Sequence, residues 1–181
     1  EIVNGEIVLV ISSTPSAYAL ERAAKAGIPS CVVARKEYPS NQAMTVALVD
    51  KLKEARIDLV VLAGFMVILT QEMVQAYPNA ILNVHPALIP SFAGPGCYGL
   101  HVHEYGVKLT GATVHFVSEE CDGGPIVSQK AVEVLPDDTP EVLQRRVMEQ
   151  CEWQLLPQAV SLFCQDRLNV EGRTVRILNA E

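Results

Sequence analysis

No stretch of the 181 residues has the length and apolar character of a bilayer span. The longest nearly unbroken apolar run, Leu59 to Leu69, has eleven residues, and a membrane helix needs about 20. No basic segment followed by an apolar one opens the sequence as a signal peptide would, and no membrane partner is expected. Basic residues are in deficit, 14 against 21 acidic, for a net charge of -7. Binding a polyanion requires clustered Lys and Arg to displace counterions. Nucleic acid is therefore excluded as an expected partner, although a local pocket for one phosphate is not. No CxxC pair occurs among the five cysteines Cys31, Cys97, Cys121, Cys151 and Cys164, which argues against a disulfide framework or a zinc ribbon. Free thiols suit a reducing compartment, most simply the cytoplasm. GxGxxG and GxxxxGKS are both absent, and Ser12-Ser13-Thr14-Pro15 follows the first expected strand where a glycine-rich phosphate cradle would sit. A dinucleotide or nucleoside-triphosphate site has no motif support.

What is present is a regular alternation. The length suits one domain, and 49% of the residues are hydrophobic, enough for a substantial core. Strands are expected at Glu6 to Ser12, Ser30 to Ala34, Asp58 to Ala63 and Ala80 to Val84, from their short β-branched runs. Helices are expected at Ser16 to Ala26, stopped by Gly27, at Asn41 to Ala55, and from Thr70 through Ala76. This order argues an open, mostly parallel twisted α/β sheet flanked by helices. Residues 86 to 106 then read as loop, with Pro86, Pro90, Pro95 and four glycines. Gly111 to Val117 and Pro125 to Leu135 read as strands joined by SEECDGG. Asp138-Thr139-Pro140-Glu141 is a helix start. The helix is expected to run to about Asp166, bent at Pro157. Leu168 to Leu178 reads as a terminal hairpin around Glu171-Gly172.

Asn83-Val84-His85-Pro86 closes an expected central strand. Residues two apart on a strand project to one face, so Asn83 and His85 point together toward the sheet edge where open α/β folds bind ligands. An amide can hold a developing oxyanion, and an imidazole can carry a proton near neutral pH. Both could equally be strand-end polar groups that satisfy loop backbone. Asp122-Gly123-Gly124-Pro125 is either an ordinary turn or an acid on a backbone that approaches a ligand closely. If Asp122 meets His85, it orients the imidazole and stabilises its protonated form. His115, on the face of Thr113 and Val117, either lines the same cleft or is a satisfied half-buried histidine. Cys97, His101 and His103 lack zinc-module spacing, and no metal is expected. Cys121 sits beside acids that would raise its pKa, so it reads as a loop residue rather than a nucleophile. Glu149 and Glu152, at i and i+3, would share one helix side, as solvated charges or as acceptors for a sugar.

Four blocks taken together carry a resemblance: Leu62-Ala63-Gly64-Phe65-Met66, Asn83-Val84-His85-Pro86-Ala87-Leu88-Ile89-Pro90, Gly111-Ala112-Thr113-Val114-His115-Phe116-Val117 and Asp122-Gly123-Gly124-Pro125-Ile126. In this order the sequence resembles the phosphoribosylglycinamide formyltransferase family, the folate-dependent formyl transferases of purine synthesis, over nearly its whole length. The resemblance implies a Rossmann-like formyltransferase fold and a single catalytic domain over residues 1–181. It implies transfer of the formyl group of 10-formyltetrahydrofolate, as co-substrate, to the amine of glycinamide ribonucleotide. Asn83 and His85 would hold the oxyanion and Asp122 would assist proton transfer. Met66, Val67, Ile68 and Leu69 would line the formylfolate pocket with Asn83, and Ser118, Glu119, Glu120, Cys121 and Asp122 would hold the pterin. Glu149, Gln150, Cys151 and Glu152 would face the ribonucleotide. The expected working unit is a monomer or weak homodimer.

The sequence departs from the family pattern in three places. It begins after the point where the family has a first strand and a Gly-Ser-Gly-type phosphate loop. The segment HEYGVKLTG is about one helical turn short. Asn41, a possible cleft residue, and Val67 stand where Arg is frequent, and an amide contacts a carboxylate tail more weakly than a guanidinium does. A hydrolase of the same folate and a catalytically inactive folate-binding domain are the competing expectations.

Overall fold

The structure is a computed structural model. It describes residues 2–94 and 100–179, with Leu100 described by its backbone alone. Two compact units account for these residues: Glu6–Ile81 is one, and Leu82–Glu181 with Glu1–Gly5 is the other.

The Glu6–Ile81 unit alternates strand and helix as its apolar runs require. It contains β1 (Val10–Ser12), α1 (Tyr18–Lys25), β2 (Ser30–Val32), a 3-10 turn (Arg35–Glu37), α2 (Asn41–Glu54), β3 (Val60–Leu62) and α3 (Gln71–Ala76). β1 and β2 pair in parallel, Val10 opposite Ser30 and Ser12 opposite Val32. The strands are shorter than their β-branched runs suggest. β2 offers three partner residues, so Ile7 and Val8 precede the paired segment and remain exposed. α1 stops because Gly27 takes φ 69°. Gly27 N–H then donates to Ala24 O and Ile28 N–H to Ala23 O, which satisfies carbonyls the helix end would otherwise leave open. α2 starts where the Ser40 hydroxyl accepts from Ala43 N–H at 3.0 Å. It buries Met44, Thr45, Leu48, Val49 and Leu52, and Val46 is exposed.

In the second unit β4 (Ile81–His85), α4 (Leu100–Tyr105), β5 (Leu109–Phe116), β6 (Ile126–Glu133), α5 (Pro140–Val147), α6 (Trp153–Cys164), β7 (Leu168–Glu171) and β8 (Thr174–Ile177) follow in the chain. The strands lie in the order β4-β5-β6-β8-β7. The sheet of this unit mixes parallel and antiparallel pairs. β4–β5, β5–β6 and β7–β8 are antiparallel, and only β6–β8 is parallel. For β5 and β6 the reason is connection length: the turn between them is too short for the crossover a parallel pair needs. The fold is an open mixed α/β sheet with flanking helices. β5 is its buried centre, with every residue from Thr110 to Phe116 buried. Apolar contact among Ala87, Val102 and Leu143, with Phe92, Val107 and Val134 packed against them, fixes α4 and the loop after β4.

Two further expectations change. The segment read as loop carries α4, ended by Gly106 at φ 76°; residues 95–99 lie outside the described residues. The single long helix after Thr139 is interrupted by a π turn, Met148–Glu152, between α5 and α6. The irregularity therefore lies upstream of Pro157, which sits within α6. The wider turn removes the α-helical i, i+3 alignment of Glu149 and Glu152. Glu149 and Gln150 are exposed, Cys151 is fully buried and Glu152 is half-buried. Among the described residues no helix is long and apolar enough to cross a membrane.

Candidate active site

Strand register builds the site. Asn83 on β4 lies opposite His115 on β5, and His85 lies opposite Thr113. Directly opposed residues share a face, so two polar pairs line up side by side over the carboxyl end of β4. A register shift between Val114 and His115 places His115 opposite Ile126 while Val114 faces Ser128. A bulge of this kind bends the strand and re-aims its side chains, as often happens beside active sites. The turn after β5 then brings Asp122 back over the row.

The resulting geometry is tight. His85 Nδ1 lies 3.5 Å from one oxygen of Asp122, and His115 Nε2 lies 3.6 Å from the other. The Asn83 amide nitrogen is 3.2 Å from His115 Nε2. Each imidazole is anchored through its remaining nitrogen. His85 Nε2–H donates to Phe92 O at 2.8 Å, and His115 Nδ1–H donates to Phe116 O at 2.9 Å. Phe92 O thereby turns Nδ1 of His85 toward Asp122. All three side chains are largely shielded: His85 is 7% exposed, His115 2% and Asp122 11%.

Asp122 is held ionised. Its pKa is lowered from 3.8 to about 2, first by the side-chain bond to His115. The Gly94 N–H, donating at 2.9 Å, and the charge of His85 add to the effect, and burial opposes it. The same carboxylate, after burial itself, raises the Cys121 thiol. Cys121 is thus a poor nucleophile, as its acidic flanks suggest. Asp122 and Phe92 have φ of 52° and 56°. A bulky residue in that region is uncommon. Both carry the positions that set the site, and such backbone cost tends to be retained where function uses it.

The structure thus joins His85 and Asp122, which the sequence singled out, and brings His115 against both Asp122 and Asn83. Ser118, Glu119, Glu120 and Cys121 form the turn beside Asp122, where Ser118 Oγ donates to Glu120 O at 3.1 Å. Glu152 on the π turn has its carboxyl pKa raised by burial. Met66, Val67, Ile68 and Leu69 follow β3 in the Glu6–Ile81 unit, with Met66 and Ile68 exposed. In the same unit Asn41 opens α2, and its Oδ1 accepts from Arg35 Nε. Of the suggested metal trio, Cys97 lies outside the described residues. His103 Nε2–H donates to Asp138 O at 2.6 Å, and exposed His101 lies 3.9 Å from Glu104. Among the described residues no three His, Cys, Asp or Glu gather as metal ligands. Sequence reasoning missed Phe92 O and Gly94 N–H, because backbone groups leave no residue-type signal. It also missed Gln129, which only register brings near.

Comparison with known proteins gives this geometry relatives. The formyl transferase family, described as "Formyl transferase", matches residues 1–160. The chloroplastic phosphoribosylglycinamide formyltransferase of Arabidopsis thaliana is 42% identical over 171 residues, covering 92% of this chain and 58% of that protein. The phosphoribosylglycinamide formyltransferase of Haemophilus influenzae is 41% identical over 169 residues, covering 93% of this chain and 79% of that one. The chain thus spans between about half and four-fifths of these two relatives. Among solved structures, glycinamide ribonucleotide transformylase 1 from Symbiobacterium toebii superposes with a TM-score of 0.94 at 44% identity, covering 98% of this chain and 82% of that one. With the family matched over most of its length, the chain belongs to the formyl transferase family.

Proposed function

We propose that this chain transfers the formyl group of 10-formyltetrahydrofolate to the amine of glycinamide ribonucleotide, in purine biosynthesis. The observation that carries the reading is the convergence of Asn83, His85, His115 and Asp122 on one point above β4 and β5. The names of the relatives supply the substrates.

In this reading the substrate amine attacks the formyl carbon. A C–N bond forms to the amine, and the bond to the folate nitrogen breaks. The proton released by the amine ends on that departing nitrogen. As the carbon becomes tetrahedral, its oxygen takes on negative charge. The Asn83 amide has two N–H groups, one of which can donate to this oxygen. His85 Nδ1 supplies the second donor when protonated, with Asp122 behind it. The gap of 3.5 Å between Nδ1 and Asp122 is longer than a charged hydrogen bond; a water fits that role as bridge and proton carrier. A carboxylate with a pKa of about 2 is a weak base. Asp122 therefore stabilises positive charge on imidazole and amine rather than keeping the proton. Met66, Val67, Ile68 and Leu69 line the folate pocket, and Ser118 to Asp122 hold the pterin. Glu149 to Glu152 face the ribonucleotide, with Glu152 on the ribose. Residues 1–181 act as one catalytic domain, in the cytoplasm, as a monomer or weak homodimer.

The test supplies formylfolate with and without the ribonucleotide and follows release of tetrahydrofolate. Release that requires the ribonucleotide is expected. Equal release without it would make the protein a hydrolase, and binding without release would make it an inactive module; either overturns the proposal. A pH expectation follows from the lowered pKa. Asp122 is ionised everywhere above about pH 2, so its protonation contributes no acid limb to kcat/KM between about pH 5 and 8. Titration of Asp122 by carboxyl-labelled NMR checks this: a midpoint inside that window would contradict the assignment.

A further inference from the structure

The row that carries His85 continues one strand further. His85 on β4 opposes Thr113 on β5, and Thr113 opposes Gln129 on β6. Gln129 is an exposed residue, and an exposed Gln ordinarily keeps its rotamer freedom in water. Here its amide is committed instead. Gln129 Nε2 donates to Ile89 O at 2.8 Å and to Thr113 Oγ1 at 2.9 Å. The Thr113 hydroxyl, on a residue with no exposed surface, donates to Ala87 O at 2.7 Å and accepts from Ile89 N–H at 3.1 Å. Two side chains from two strands thus clamp Ala87 and Ile89, the first part of the loop after β4.

The second part of that loop serves the reactive groups. Phe92 O receives His85 Nε2–H, and Gly94 N–H donates to Asp122. The Phe92 ring seats this stretch against Ala87, Val102 and Leu143 and meets Tyr105 edge-on, with centroids 5.5 Å apart. Ile89 lies three residues from Phe92, so moving its carbonyl moves the carbonyl that turns the imidazole.

We infer that Gln129 is a positioning residue for formyl transfer, acting through Ile89 and Thr113 on the loop that orients His85 and bonds Asp122. It touches none of the reacting atoms. Thr113 alone satisfies Ala87 O and Ile89 N–H but leaves Ile89 O without its side-chain donor, so the clamp needs both residues. The inference rests on the proposed reaction only for its kinetic readout.

Three variants test it. Gln129→Glu keeps shape and length but removes both donors and sets acceptors against Ile89 O. Gln129→Met removes all hydrogen bonding at similar volume. Gln129→Lys keeps a donor of similar reach. In Glu and Met, kcat should fall about tenfold with KM nearly unchanged, and the thermal midpoint should drop by the modest amount one or two lost hydrogen bonds imply. Lys should recover most of kcat. The Gly94 amide should exchange with solvent faster in Glu and Met, and at the wild-type rate in Lys. Equal kcat in all three, or a loss in Lys matching that in Met, would refute a positioning role, as would Gly94 exchange that ignores the substitutions. The exchange measurement needs no turnover. Failure of formyl transfer in the wild type would therefore count against the proposed reaction, while the exchange rates still decide the role of Gln129.

Discussion

Replacing Asp122 by Asn should lower kcat by about 10²- to 10⁴-fold, the range for groups that manage a proton in a transition state, while formylfolate binding changes little. The substitution is nearly isosteric. Its remaining oxygen can still accept from Gly94 N–H, which bonds Asp122 at 2.9 Å, so the loop keeps its tie. What disappears is the charge facing two imidazoles at 3.5 and 3.6 Å. Without it, protonated His85 has no counter-charge and the second donor to the oxyanion is lost. The asymmetry between kcat and binding is the diagnostic feature, since charge that stabilises only the transition state affects turnover and not ground-state affinity. A stability effect accompanies it. Because the native carboxyl titrates near 2 rather than at its ordinary 3.8, its ionised form contributes about 2 kcal/mol. That contribution is present above the ordinary value and is lost as pH falls through the native one. The variant should therefore melt lower than wild type at neutral pH, and the two should converge in strong acid. Single-turnover kinetics and equilibrium folate binding check the first part, and melts across pH check the second. Unchanged turnover would remove Asp122 from the mechanism.

All four side chains of this cluster stand out in the sequence, two of them through a simple periodicity. Asn83 and His85 are two apart on a strand, which fixes a shared face. His115 and Thr113 are likewise two apart, but nothing in the sequence says which residues they oppose. That depends on the turn between β5 and β6 and on the bulge at Val114/His115. A shift of one residue would send His115 to the other face of the sheet. Asp122 was legible as an acid before two glycines, yet its meeting with His85 was a hypothesis that only the closed turn supports. The α/β class followed from alternation, whereas strand direction did not. Parallel order holds for β1 and β2, where a helix intervenes; β5 and β6, joined by a short turn, are antiparallel, and so are β4 and β5 although α4 lies between them. The π turn left no pattern at all. It depends on tertiary packing, which buries Cys151 completely and draws Glu152 partly inside, against the i, i+3 alignment an unbroken α-helix would give.

Gly124→Ala should be strongly destabilising, costing about 3 kcal/mol or more. A methyl placed on Gly124 would lie 1.7 Å from the carbonyl oxygen of Phe116 and 2.8 Å from its carbon. Neither is a flexible side-chain end, so the backbone of one strand must move. The neighbouring bond, Phe116 N–H to Pro125 O at 2.9 Å, closes the base of the turn that delivers Asp122, and it cannot survive such a shift unchanged. The contrast with Gly123 makes the test specific. There an added methyl meets only side-chain atoms of Glu120, its carboxylate at 2.5 Å and Cγ at 2.6 Å, and that exposed side chain can swing away. Gly123→Ala should thus cost little, while Gly124→Ala should lower the denaturant midpoint sharply. Whatever fraction of the Gly124 variant remains folded should show the Asp122 carboxyl pKa moving up toward its ordinary value, because Phe116 O also anchors His115, and His115 makes the largest contribution to holding that pKa down. Equal stability of the two alanine variants would mean that the strands do not approach at Gly124 as described, and the placement of Asp122 over His85 and His115 would lose its support.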